Sequence, residues 1–246
     1  MLVVANWKAY VEDVSKAKKL AALAKRLQKA TKVRITLAPP APFIGLLAPR
    51  GSAELHFAAQ DIGAGASGAH TGELTAAMYA SLGARYTLIG HSERRAAGDA
   101  REVVVEKMKH AHVHGLTPIL CVGEKVRDTE GQYLAELRAD IVSAVGAIEG
   151  KDRPSILIAY EPVWAINHGD DAINTADLSE MVLYIRKVLG EIIAWREVEK
   201  MTILYGGSVE PLNVRGLAGG SGVDGFLVGH ASVDPIAFSK LVRALT

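Results

Sequence analysis

The sequence has little of several features that would define other classes of protein. A single cysteine, Cys121, stands among 246 residues, which excludes an intramolecular disulfide and is typical of a reducing compartment. Basic and acidic residues number 28 and 27, so we expect no nucleic-acid partner and no binding to an anionic membrane. No run of about 18 apolar residues occurs, which argues against a membrane-spanning helix.

The N-terminal segment also lacks two common signals. No basic stretch and no cleavage-like site precede the apolar segment Leu2–Asn6, so we expect no signal peptide and a cytoplasmic location. Leu2–Lys8 contains no glycine, whereas a dinucleotide-binding fold normally shows a glycine-rich turn after its first strand. No linker rich in proline or serine divides the chain, and residues 1-246 are predicted to form a single domain.

Short apolar strands alternate with longer amphipathic helices from end to end. Strands are predicted at Leu2–Asn6, Val33–Ala38, Leu55–Gln60, Tyr86–Gly90, Thr117–Val122, Ser155–Tyr160, Met201–Gly206 and Gly225–Gly229. Helices are predicted at Asp13–Ala30, Thr129–Glu149, Thr175–Trp195 and Pro235–Leu245, with shorter ones at Phe43–Pro49 and Pro211–Leu217. This alternation is typical of an α/β protein with a parallel sheet covered on both sides. We favour a closed (β/α)8 barrel over an open doubly wound sheet, because the glycine-rich first turn is missing.

Ionisable and polar residues follow the predicted strands, where the variable loops of such a barrel would bring them to one rim. Glu161 follows the sixth strand beside apolar residues, which favour a basic carboxylate, and it is the candidate general base. His91 can donate a hydrogen bond to a developing oxyanion, with Asn6 assisting it. Lys8 supplies a cation. We therefore predict that Asn6, Lys8, His91 and Glu161 are the catalytic residues.

A glycine-rich turn at Gly206-Gly207-Ser208 and the glycine Gly229 expose backbone N–H groups on the same rim. Backbone N–H groups of this kind bind phosphate dianions, and glycine has no side chain that would block the approach of the phosphate. A base, an electrophile, a cation and a phosphate nest together favour proton abstraction beside a carbonyl of a small phosphorylated substrate. This chemistry needs no metal and no organic cofactor.

Short motifs at the strand ends carry a resemblance over essentially the whole chain. They are Ala5-Asn6-Trp7-Lys8, Thr71-Gly72-Glu73, Ile89-Gly90-His91-Ser92-Glu93-Arg94-Arg95, Cys121-Val122-Gly123-Glu124, Ala159-Tyr160-Glu161-Pro162-Val163-Trp164-Ala165-Ile166, Tyr205-Gly206-Gly207-Ser208-Val209 and Asp224-Gly225-Phe226-Leu227-Val228-Gly229. In this order they resemble the triosephosphate isomerase family, whose fold is the TIM barrel.

The resemblance implies an isomerase of glycolysis and gluconeogenesis that interconverts dihydroxyacetone phosphate and D-glyceraldehyde 3-phosphate through an enediolate. It implies that Glu161 moves the proton, that neutral His91 polarises the carbonyl, and that Lys8 and Asn6 bind substrate. Phosphate would lie on the backbone of Asn167, Ser208, Gly229 and His230. Residues Pro162–Asp170 would form a lid that closes over the substrate.

The resemblance also implies a homodimer in which Thr71 reaches the neighbouring active site. The sequence leaves open the simpler role of Thr71 as the N-cap of the following helix.

Two departures from the family pattern concern the phosphate end. Asn167-His168 stand in the lid where the family usually has Gly-Thr, and His230 follows Gly229 where a second glycine is usual. The expected contact of His230 is its N–H, which requires the ring to point away, although a second phosphate donor from His168 or His230 is an alternative. These changes leave two other functions open: isomerisation of a four-carbon ketose phosphate (a tetrulose phosphate), and a catalytically silent barrel that binds a phosphometabolite.

Overall fold

The computed structural model describes residues 1–48, 55–65, 67–165 and 173–246. The short β-branched and apolar segments form eight parallel strands, each paired with the next along the chain, that close into one barrel. Closure depends on the pairing of the first strand with the last, where Leu2 lies opposite Gly225. A Cβ atom at position 225 would lie 1.9 Å from the Leu2 carbonyl oxygen, so only glycine permits this approach. The predicted (β/α)8 TIM barrel is confirmed.

The elements found in the described residues alternate as the sequence pattern predicts. The strands β1 to β8 are Leu2–Asn6, Arg34–Ala38, His56–Ala59, Tyr86–Ile89, Thr117–Val122, Leu157–Tyr160, Ile203–Tyr205 and Gly225–Val228. The helices α1 to α10 are Val14–Thr31, Ala41–Leu47, Ala76–Ser81, Ser92–Ala96, Arg101–Val113, Gln132–Gly146, Thr175–Leu189, Trp195–Val198, Val214–Gly220 and Pro235–Arg243. Among these described helices, none is long and apolar enough to cross a bilayer.

Side chains alternate along the strands between two apolar layers. In β1, Leu2 and Val4 belong to a cluster inside the barrel, whereas Val3 and Ala5 pack in the larger cluster between the sheet and the helices. This alternation follows from the two-residue period of a strand. A filled interior leaves the carboxyl ends of the strands as the place where side chains can meet in a cleft.

Three predicted helices are longer in the prediction than in the structure, and the last of them, predicted to end at Leu245, ends at Arg243. The helix predicted over Thr175–Trp195 ends at Leu189, because the chain turns at Gly190 and Trp195 packs over that glycine as it begins α8. The helix predicted over Thr129–Glu149 begins only at Gln132. Asp128 accepts the first N–H groups of α6, and Gly131 adopts a positive φ of 76°, so the chain enters the helix later.

Candidate active site

Lys8 is held at the end of β1 in a backbone conformation that is uncommon for lysine, with φ of 45°. Its N–H donates to Asn6 Oδ1 at 3.1 Å, and its carbonyl accepts from Gln60 Nε2 at 2.9 Å. Its ammonium lies 2.6 Å from Glu93 Oε1. Neighbouring side chains therefore fix this loop and direct a cation to the rim of the barrel.

His91 follows β4 after Gly90, whose φ of 74° turns the chain away from the strand. The Nδ1 atom of His91 accepts the N–H of Glu93 at 3.2 Å. A ring nitrogen that accepts a hydrogen bond carries no proton, so the proton of the neutral ring lies on Nε2. Nε2 lies 3.4 Å from Glu161 Oε1, so the two predicted catalytic groups face each other.

Glu161 is a carboxylate almost removed from solvent, with 2% of the residue exposed. Its Oε2 accepts the N–H of Ser92 at 3.1 Å, at the start of α4. Two glycines make room for it: a Cβ atom at Gly123 would lie 1.9 Å from the Glu161 carbonyl oxygen, and one at Gly206 would lie 2.9 Å from its Cγ. The Glu161 carboxylate is thus placed by contacts with neighbouring residues.

Cys121 lies next to Glu161 inside the barrel and is fully buried. Burial, followed by the negative charge of Glu161, raises the pKa of the Cys121 thiol well above its ordinary value. The thiol is therefore neutral at physiological pH, which suits a packing residue and not a nucleophile.

The predicted phosphate end lies on the loops that follow β7 and β8. Ser208 Oγ donates to the Ala165 carbonyl at 2.9 Å, which joins the β7 loop to the start of the loop after β6. Gly229 lies against Lys8: a Cβ atom there would be 3.6 Å from Lys8 Cε. His230 begins a short 3-10 turn, His230–Ser232, directly after this glycine.

A single cleft of about 260 Å³ brings these groups together. Of the predicted site residues it is lined by Asn6, Lys8, His91, Glu161, Ser208, Gly229 and His230. Asn167 and residues 166–170 of the expected lid lie outside the described residues. The strand-end residues therefore meet as the barrel predicts.

Comparison with known proteins agrees with this geometry. The sequence model described as triosephosphate isomerase matches residues 1–245. The triosephosphate isomerase of Streptomyces coelicolor is 38% identical over 253 residues, which cover 98% of this chain and 96% of that protein. Those of Geobacter metallireducens and Vibrio sp. are 37% and 38% identical, each over 98% of this chain and over 97% and 96% of their own lengths. The chain belongs to the triosephosphate isomerase family.

The contact of His91 with Glu161 matches the arrangement of acid and base groups known for the triosephosphate isomerase family. A carboxylate base beside an imidazole that stays neutral is the arrangement for which triosephosphate isomerase is itself the standard example. In this chain the hydrogen bond from the Glu93 N–H to His91 Nδ1 leaves the proton of a neutral ring on Nε2, the nitrogen that faces Glu161. Sequence motifs locate the imidazole but do not identify which nitrogen carries the proton.

The root of the expected lid is anchored by a buried carboxylate, Glu124. Its Oε1 accepts from Tyr160 Oη at 2.8 Å, from Trp164 Nε1 at 2.9 Å and from Arg127 Nε at 2.9 Å. Arg127 also lies over the Trp164 ring, 5.0 Å from its centroid. Trp164, which precedes the residues expected to form the lid, is therefore held by contacts with Glu124 and Arg127.

Two assignments from the sequence are incomplete. Tyr10 lines the cleft beside His230, and no sequence motif indicated it, because its position in the cleft depends on a contact between the first and last loops of the barrel.

The N-cap of α3 is Thr75, whose side chain accepts the Met78 N–H, so the alternative role of Thr71 as the N-cap of this helix is wrong. Thr71 is exposed in the loop before that cap.

Proposed function

We propose that this protein is an isomerase that interconverts dihydroxyacetone phosphate and D-glyceraldehyde 3-phosphate by proton transfer through an enediolate, the reaction of glycolysis and gluconeogenesis. The observation that carries the proposal is the 3.4 Å approach of His91 Nε2 to Glu161 Oε1 in a cleft that also holds Lys8. Relatives over nearly the full length of the chain are named triosephosphate isomerase.

Glu161 acts as the base in this proposal. It removes a proton from the carbon next to the substrate carbonyl and returns it to the neighbouring carbon, so the carboxyl group is regenerated as a carboxylate. Because Glu161 is buried, few water molecules can hydrate its carboxylate and make it a weaker base. The Ser92 N–H holds Oε2 in place while Oε1 faces His91 Nε2. A positioned base of this kind contributes about two to four orders of magnitude to a rate.

His91 acts as the electrophile. Its Nε2–H, which faces Glu161 Oε1 in the free protein, would donate to the substrate carbonyl oxygen once substrate enters between them. A neutral imidazole is a very weak acid, so it matches the strongly basic enediolate oxygen better than an imidazolium would, and it can pass a proton between the two oxygens. Asn6 and the Lys8 ammonium supply further stabilisation of negative charge at the oxygens.

The phosphate group of the substrate is assigned to the loops after β7 and β8. Backbone N–H groups of Ser208, Gly229 and His230 are the proposed donors, and Asn167 is a proposed donor from outside the described residues. The closeness of Gly229 to Lys8 supports this assignment, because it puts a cation beside the nest.

Assays of turnover and binding distinguish the triose reaction from the two alternatives, a four-carbon ketose-phosphate isomerase and a catalytically silent barrel. A four-carbon ketose phosphate would use the same catalytic groups, whereas a silent barrel has no need of a carboxylate placed against an imidazole. We expect turnover of glyceraldehyde 3-phosphate in a coupled assay and competitive binding of 2-phosphoglycolate, a mimic of the enediolate. A tetrulose phosphate turned over faster than the triose would assign the protein to the four-carbon reaction, and binding without turnover of either sugar would overturn the proposed function.

The proposal includes a homodimer in the cytoplasm. An apolar surface supports the dimer: Leu74, Met78 and Leu82 are 41%, 47% and 39% exposed and line one cavity together with Tyr79. Thr71 lies in the exposed loop just before Leu74. A cluster of exposed apolar side chains beside an exposed loop is typical of an interface with a second copy.

We expect light scattering to give twice the 26.2 kDa mass of one chain at ordinary salt. Met78→Glu should shift the protein towards the monomer, because it puts a charge into the apolar surface. Leu183→Glu is the matched control, since Leu183 is 65% exposed on α7, and it should leave the mass unchanged. A wild-type monomer with full activity would contradict the role given to Thr71.

A further inference from the structure

Two rings meet at the rim of the cleft, at the end where the phosphate is assigned. The centroids of Tyr10 and His230 lie 5.6 Å apart with their planes at 85°, an edge-to-face contact. Both residues line the cleft that contains Lys8 and Glu161. Tyr10 is 48% exposed and His230 is exposed, so neither ring is needed to fill the core. The contact is therefore a feature of the cleft wall.

The backbone on both sides of this contact is fixed. The Tyr10 N–H donates to the Trp7 carbonyl at 3.0 Å, and the Tyr10 carbonyl accepts from Lys16 Nζ at 3.1 Å. The Gly229 carbonyl, just before His230, accepts from the Ser232 N–H and from Ser232 Oγ, at 2.9 and 2.6 Å. These hydrogen bonds hold the backbone from which each ring projects, which favours the placement of a binding group at the rim.

The imidazole of His230 makes no hydrogen bond to any residue that the structure describes. It has two ring nitrogens to offer to a ligand, and it stands next to Gly229, which itself lies against the Lys8 side chain. The other charged or titratable side chains that line this cleft include those of Lys8, His91, Glu161 and Glu210. Asp234 at the start of α10 also interacts electrostatically with His230. The Asp234 carboxylate is engaged by the N–H groups of Ile236 and Ala237 at 2.8 Å, so it caps α10 and does not occupy the cleft.

We propose that the His230 imidazole donates a hydrogen bond to the phosphate of the substrate, and that Tyr10 is the positioning residue whose ring holds the imidazole at the rim. The inference deepens the proposed function, on which it rests for the identity of the anion. It adds a side-chain donor to a site otherwise built from backbone N–H groups and Lys8. It also replaces the expectation that the His230 ring points away from the phosphate.

A donor of this kind makes anion affinity depend on pH. Histidine is the side-chain type that ordinarily changes charge between about pH 5 and pH 8. His91 and His230 both line this cleft, so it is the loss of the pH dependence in a His230 variant that assigns the effect to His230. The protonated ring binds an anion more strongly than the neutral one. Because the ring is exposed, we expect the dissociation constant to change by about three- to tenfold and not by the larger factor of a buried pair.

The test uses inorganic sulfate, which remains a dianion between about pH 6 and pH 8, unlike a phosphate ester. Sulfate binding to the full-length protein is measured by NMR titration or calorimetry, without any need for turnover. We expect wild-type protein to bind sulfate about three- to tenfold more tightly at the lower pH. His230→Ala should bind more weakly at the lower pH and lose this dependence, and His230→Gln, which keeps a donor, should be intermediate with a flat profile.

Tyr10 provides the second arm of the experiment. Tyr10→Phe keeps the ring contact and should match wild type, whereas Tyr10→Ala should lose part of the pH dependence while retaining the backbone nest. An unchanged profile in His230→Ala would overturn the proposal. Absence of triose turnover with a sulfate profile that depends on His230 would refute the proposed function and leave this inference standing.

Discussion

Replacing Glu161 with glutamine should lower turnover by about two to four orders of magnitude. Glutamine has nearly the same shape and its Oε1 atom still accepts a hydrogen bond from the Ser92 N–H, which reaches Glu161 Oε2 at 3.1 Å. It does not accept a proton from carbon. The loss should therefore fall on kcat, while the phosphate contacts keep KM within a few-fold of wild type.

The matched control for Glu161→Gln lies in the same cleft. Glu210 is an exposed carboxylate that lines the cleft without contacting His91 or Glu161 through any described hydrogen bond of its side chain. Glu210→Gln removes one negative charge from the cleft and should leave kcat nearly unchanged. Steady-state kinetics of both variants, with circular dichroism to verify folding, make the comparison. Near-full activity in Glu161→Gln would show that another group is the base.

The fold was predictable because its signals are local. Each strand is a short apolar run, and the period of two residues places Val4 inside the barrel and Val3 outside it. The absence of glycine in Leu2–Lys8 favoured closure over an open sheet. Strand ends then gave the site by topology alone, since parallel strands of a barrel deliver Lys8, His91 and Glu161 to one rim.

The parts that the sequence did not predict depend on contacts between distant segments. Tyr10 and His230 belong to the first and last loops, and nothing in either segment marks the other. The tautomer of His91 depends on where the Glu93 N–H points after α4 forms. The end of α7 at Leu189 reflects the packing of Trp195 over Gly190, a tertiary effect that apolar periodicity does not contain.

An ion cluster centred on the buried Lys107 connects helix α5 to the loops near the candidate active site. Lys107 on α5 is 2% exposed, and its ammonium contacts Asp61 at 2.7 and 2.8 Å and Asp99 at 2.5 Å. Asp61 also contacts Arg94 at 2.8 Å, on the helix that begins beside His91. Asp61 directly follows Gln60, whose amide holds the Lys8 carbonyl. The cluster therefore joins the loop after β3, which holds Lys8 through Gln60, to the helix that follows His91.

Lys107→Met should lower the free energy of unfolding by about 3–5 kcal/mol at neutral pH, because it leaves the buried Asp99 and the partly buried Asp61 without their main cation. Burial is the largest cause of the raised pKa of Asp61 in the wild-type protein, and the contact with Lys107 opposes this rise. The matched control is Lys109→Met on the same helix, where an exposed pair with Glu106 at 2.7 Å contributes less than about 1 kcal/mol. Denaturant unfolding at one fixed protein concentration measures both.

The pH dependence of Lys107→Met distinguishes lost charge pairing from lost packing. A carboxyl group whose pKa is raised by folding costs stability while it is ionised, and this cost disappears as the pH falls through its folded pKa. Without Lys107 the pKa of Asp61 rises further, so the deficit should be largest near pH 7 and should shrink towards about pH 4–5. A deficit that stayed constant over this range would mean that the methionine fails to fill the space of the lysine stem, and that the ion cluster contributes little to the stability of the barrel.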